Sequence, residues 1–177
     1  MLRDAGRDKE AFDTLDKGLK ASPEQPDLLY ESALQAEKAG HGEVLEPRLR
    51  KLIKLKPDFA HAYNALGYSL AERGERLDEA LVLITKAVEL APGDPFILDS
   101  LGWVLYRKGD MEPAREKLAQ ALALRPDPEI AAHLGEVLWK LGRHDEAERT
   151  WKDAARITPS NAALAATMKK FLPASTQ

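Results

Sequence analysis

"DSLGWVLYRKGDMEPAREKLAQALALRP", residues 99–126, sets Leu101, Gly102, Leu105, Gly109, Ala114, Leu118, Ala121 and Pro126 at intervals that recur elsewhere in the chain. Leu98, Leu101 and Leu105 fall on one face of a helix of period 3.6, and Ala114, Leu118 and Ala121 on one face of a second. Gly109 between them suits a tight turn after the first helix, and Pro126 ends the second. The stretch therefore reads as two short helices packed side by side. Gly102 and Ala114 are small where the two must approach closely.

The same order appears on both sides. Upstream stand Tyr63, Leu66, Gly67, Leu70, Gly74, Ala80, Ile84, Ala87 and Pro92, with one extra residue in the turn "ERGERLDEA". Downstream stand Leu134, Gly135, Leu138, Gly142, Ala147, Trp151, Ala154 and Pro159, after one residue is lost in "RPDPEIA". A weaker copy carries Leu29, Ala33, Ala36, Gly40, Leu45, Leu52 and Pro57, and Gly6, Ala11, Leu15, Gly18 and Pro23 fit only the second half of a unit. Pro47 enters the second helix of the weak copy, where a short or displaced helix is expected.

A helix-turn-helix unit repeating about every 34 residues, with glycine, alanine and proline at these positions, resembles the tetratricopeptide-repeat family over nearly the whole chain. The resemblance implies an all-α fold: a right-handed superhelix of antiparallel helix pairs. Its expected divisions are a half repeat over 1–25, a degenerate repeat over 26–59, and full repeats over 60–94, 95–127 and 128–160. "NAALAATMKKFL", with Leu164, Met168 and Phe171 on one side, reads as a capping helix over 161–172, followed by a tail over 173–177. A leading half repeat implies a longer protein whose earlier helices lie upstream.

Composition narrows the function. The 177 residues carry 26 basic and 29 acidic side chains, a net charge of -3, so there is no overall cationic field to gather nucleic acid or anionic lipid. There are no cysteines, which removes thiolate and disulfide chemistry. No apolar run approaches the roughly 20 residues of a membrane span, and the chain as given reads as soluble. The four histidines, His41, His61, His133 and His144, are scattered without metal-ligand spacing, and no metal or cofactor is expected. Asp78 with Glu79 and Asp145 with Glu146 open second helices, where they favour the positive helix end. No phosphate-binding glycine loop occurs, Ser69 and Ser100 have no histidine and acid beside them in sequence, and an enzyme is not expected.

What remains is a surface. In tetratricopeptide arrays the first helix of each unit lines the concave side. Carried onto this chain, that rule gives a candidate protein-binding groove of Tyr30, Asn64, Tyr68, Asp99, Trp103, Tyr106, Arg107, Glu136, Trp139 and Lys140, with Leu34, His61 and His133 beside them. Tyr68, Trp103, Tyr106 and Trp139 would offer rigid apolar area with polar edges, as binding hot spots do. Trp103 and Tyr106 stand out as contact residues, Asn64 suits a peptide backbone, and Arg107 and Lys140 suit a carboxylate. Packing between helices is the competing explanation for the aromatics, and Trp151 and Tyr63, at repeat positions, are expected in the core. The lysines, asparagines and arginine by which tetratricopeptide co-chaperones grip chaperone C-termini are not reproduced at Tyr30, Leu34, His61 and Ala65.

The runs "NALGYSLAERGERLDEALVLITKAVELAPGDPFILDSLGWVLYRKGD" and "DPEIAAHLGEVLWKLGRHDEAERTWKDA" further resemble the C-terminal repeats of large tetratricopeptide lipoproteins of Gram-negative bacteria. The likeness is greatest to outer-membrane adaptors of a periplasmic carboxyl-terminal processing protease that degrades cell-wall hydrolases. It implies a non-catalytic scaffold that holds protease and substrate together, in a full-length protein anchored at the outer membrane. A self-associating structural module and the repeat arm of a multidomain enzyme are the alternatives.

Overall fold

The computed structural model describes residues 7–172, which form ten α-helices and no strand. They are α1 (Asp8–Ala21), α2 (Pro26–Lys38), α3 (Leu45–Leu55), α4 (Ala60–Arg73) and α5 (Leu77–Leu90), then α6 (Pro95–Lys108), α7 (Met111–Leu124), α8 (Pro128–Lys140), α9 (His144–Ile157) and α10 (Ala162–Phe171). The helices pair as α2 with α3, α4 with α5, α6 with α7 and α8 with α9. The first helices α4, α6 and α8 also touch one another, and α10 lies against α8. First helices in contact across successive pairs, with the second helices held further apart, curve the array so that the first helices lie inside.

Local chemistry sets where each helix starts and stops. Pro26, Pro95 and Pro128 open α2, α6 and α8 at the position where a missing N–H costs nothing. The Asp94 carboxylate accepts from Phe96 N at 2.8 Å and Ile97 N at 3.2 Å, and Asp127 accepts from Glu129 N at 2.8 Å, so orphan amides are satisfied. At the other end, α3, α5, α7 and α9 finish two residues before Pro57, Pro92, Pro126 and Pro159. The extra residue before α5 is absorbed by Arg76, which adopts a left-handed backbone at φ 44. Arg76 is held there by two hydrogen bonds to Glu46, at 2.5 and 3.1 Å. Pro47 has the effect expected of it: a 3-10 turn over Gly42–Val44 precedes α3, which has 11 residues where α5, α7 and α9 have 14.

The core is a row of small interlocking layers. Gly67, Gly102 and Gly135 are the points of closest approach within pairs; a Cβ at each would stand 2.6 Å from Ile84, 2.6 Å from Leu118 and 2.0 Å from the Trp151 indole. Trp151 is fully buried and donates its Nε1–H to Ala132 O at 3.3 Å. Leu164 of α10 closes the same layer, with Met168, Phe171 and Leu172 packed beside it. Tyr63 departs from the expectation that it is core. It is half-buried and reaches back to give its hydroxyl proton to Pro57 O at 3.0 Å, so its ring covers the preceding turn.

Candidate functional site: the concave face

Asn64, Tyr68 and Glu72 recur every fourth residue along α4 and share one face of it. Facing them across the array, α6 contributes Asp99, Trp103 and Tyr106, and α8 contributes His133 and Glu136. The Trp103 and His133 rings stack at 4.2 Å between centroids, and Tyr68 lies 6.3 Å from His133. Three successive first helices thus place their aromatic rings in one patch. Trp103 is only 8% exposed, since it also packs in the layer of Leu70, Ile84 and Val104. Its Nε1–H donates to the Glu72 carboxylate, while the Glu72 carbonyl accepts from Arg107 at 2.8 Å. Glu72 is the residue that sequence reasoning missed, though its place one turn beyond Tyr68 could have found it.

His133 and Asp99 are the polar centre. His133 Nδ1 lies 2.9 and 3.1 Å from the two Asp99 oxygens, with only 17% and 11% of the two side chains exposed. Burial pulls the imidazole down, but the Asp99 hydrogen bond and charge, with Glu72 and Glu129, outweigh it and hold the pKa above the ordinary value. A histidine pKa raised by folding contributes stability that is full below about pH 6.5 and is lost as pH rises through the folded-state value. The midpoint of urea unfolding is therefore expected to fall between pH 6 and pH 9, and Asp99→Asn should flatten that slope. An unchanged slope in Asp99→Asn would show the pair to be inert.

Tyr106 donates to Glu136 at 3.0 Å, and Lys170 from α10 reaches the same oxygen at 3.1 Å. Burial, then the Glu136 charge and hydrogen bond, push the Tyr106 hydroxyl up to about 12. The remaining expected groove residues lie apart from this centre. Tyr30 packs with Phe59 at 5.3 Å and His61 at 6.5 Å, towards the N-terminal end. Trp139 stacks on His144 at 4.1 Å and lies 5.9 Å from both Trp151 and Phe171. Lys140 sits 5.9 Å over Phe171, so Trp139 and Lys140 belong to the capped C-terminal end. Among the described residues no three His, Asp or Glu side chains gather to hold a metal ion, and no helix is long and apolar enough to cross a membrane.

The sequence matches the tetratricopeptide-repeat (TPR) family over residues 29–95 and 100–162. The chain belongs to that family. TPR domains mediate protein–protein interactions and are in general non-catalytic scaffolds. Among curated proteins the chain is 47% identical, over 135 residues, to a TPR repeat-containing protein of Pseudomonas aeruginosa. The match takes in 76% of this chain and 23% of that protein, so the chain spans less than a quarter of its relative. Among solved structures, a thermophilic TPR protein of Thermus thermophilus superposes with a TM-score of 0.86 at 26% identity, covering 97% of this chain and 93% of that one. The O-GlcNAc transferase of Thermobaculum terrenum matches with a TM-score of 0.67 at 27% identity, over 75% of this chain and 26% of the transferase.

Proposed function

We propose that this TPR chain is an adaptor module that holds a carboxyl-terminal processing protease together with its cell-wall hydrolase substrates. The observation that carries a binding role is the patch of Tyr68, Trp103 and His133, drawn from three successive first helices onto the concave face. Tyr68 and His133, half-buried and braced by the buried Trp103 ring, present a fixed shape at little entropic cost, which suits a protein partner. The protease reading rests on the likeness of residues 60–157 to adaptor lipoproteins. On that reading the full-length protein would work in the periplasm, tethered to the outer membrane, where joining two partners raises their effective concentration without any chemistry in the repeats.

Calorimetric titration of the chain with a carboxyl-terminal processing protease tests the adaptor reading. The parent is expected to bind, and a Tyr68→Ala, Glu136→Ala variant with unchanged helical circular dichroism is expected to bind at least about tenfold more weakly. Absence of binding by the parent overturns the protease assignment. Equal binding by parent and variant moves the contact off the groove.

A further inference from the structure

The polar groups of the central groove are unevenly matched. Its cations are already engaged: His133 by Asp99, Arg107 by the Glu72 carbonyl, Lys170 by Glu136, and Arg73 by Ser69 and Glu75. Lys38, Lys108 and Lys140 are the last residues of α2, α6 and α8, so they stand along the edge where the turns lie. The groups left over are acceptors. Asn64 Oδ1 is buried with no hydrogen-bond partner, an arrangement that costs free energy until a donor arrives. One stripe along α4, Asn64, Tyr68 and Glu72, runs beside it, and the Tyr68 ring lies in the field of Glu72, Asp99, Glu129 and Glu37, one carboxylate from each of four first helices.

We infer that this groove takes an arginine-bearing basic segment of a partner protein, its guanidinium seated over Tyr68 among Asn64, Glu72 and Glu129. A guanidinium supplies five N–H donors and no acceptor, carries its charge at every pH the chain meets, and lies flat on an aromatic face. Those properties match an orphan acceptor, the Glu72 and Glu129 carboxylates that no lysine or arginine of the described residues pairs, and a half-buried aromatic ring together. An acidic segment would meet the Glu72 and Glu129 carboxylates with no free cation at the centre, which is repulsive. The inference rests on the concave face being the binding surface, and it names the chemistry of what binds there.

Fluorescence anisotropy with labelled octapeptides of alternating arginine and serine, lysine and serine, or glutamate and serine, at about 150 mM salt, tests it. The arginine peptide is expected to bind at least about tenfold more tightly than the glutamate peptide, with the lysine peptide between them. Glu72→Gln with Glu129→Gln should weaken it at least about fivefold. Glu112→Gln with Glu148→Gln, the same change of charge on second helices, should weaken it less than about twofold. Equal or tighter binding of the glutamate peptide, no binding of the arginine peptide, or an equal loss in both variants overturns the inference. Competition with the protease separates the two readings. A protease that binds and is not displaced by the arginine peptide defeats the basic-segment inference alone, whereas peptide binding without protease binding defeats the adaptor reading alone.

Discussion

Trp151→Ala is expected to lower stability by about 3–5 kcal/mol, the range for removing a fully enclosed tryptophan. Trp151 has no exposed surface, contacts α8, α9 and α10 within one layer, and satisfies the Ala132 carbonyl through its indole N–H. Truncation removes the apolar contact, opens a cavity and takes from the Ala132 carbonyl the second donor that it has beside its helical one. Because stability in stacked repeats is a sum of local units and their interfaces, the loss should concentrate at the C-terminal end. Hydrogen exchange is the check: amides of α8, α9 and α10 should lose protection, while those of α2 to α5 keep theirs. A loss below about 1 kcal/mol, or one spread evenly over the chain, would contradict this account of Trp151 as the closing element.

Gly135→Ala is expected to cost about 3 kcal/mol, at the upper end for overpacking by a single methyl. The added Cβ would stand 2.0 Å from Trp151 Nε1 and 2.3 Å from its Cε2, and the indole has nowhere to retreat within a fully buried layer. Gly18 is the contrast. There the nearest atom to an added Cβ is a Leu28 methyl at 3.5 Å, so Gly18→Ala should stabilise α1 by about 0.5–1 kcal/mol through helix propensity. Urea midpoints of the two variants should move in opposite directions. In a double-mutant cycle, Gly135→Ala with Trp151→Leu should cost at least about 1 kcal/mol less than the sum of the single changes, since the clash partner has gone. Additive effects would mean that the glycine serves the backbone and not the indole.

The repeat architecture was legible because its marks are local. Gly102 and Ala114, or Gly135 and Ala147, lie 12 residues apart in the sequence and face each other across one turn, and the prolines that follow α3, α5, α7 and α9 act through their own rings. The concave face was legible only as a set of residues. What unites it are the bonds from Trp103 to Glu72 and from His133 to Asp99, which join positions 31 and 34 apart. No periodicity in one copy reveals a pairing between two copies: the place of Glu72 one turn beyond Tyr68 puts it on the face but does not match it to Trp103. Trp139 illustrates the same limit from the other side. Its spacing is that of a groove residue, but Phe171 and Lys170 of α10 fold back over this end and draw it into the cap. Tyr63 was misplaced because a repeat position fixes which way a side chain points and not how much lies over it.

The side-chain bonds that join neighbouring helix pairs, such as Arg50 with Glu79 and Arg107 with Glu72, span 29 to 35 residues. Each repeat is thus clipped to the next, and among the described residues no clasp returns from the end of the array to its beginning. Such a chain is a spring with separable coils. Pulled between two bound partners, it yields one coil at a time, each releasing about 34 residues at about 3.4 Å apiece, or roughly 115 Å of tether, while the coils that remain stay wound.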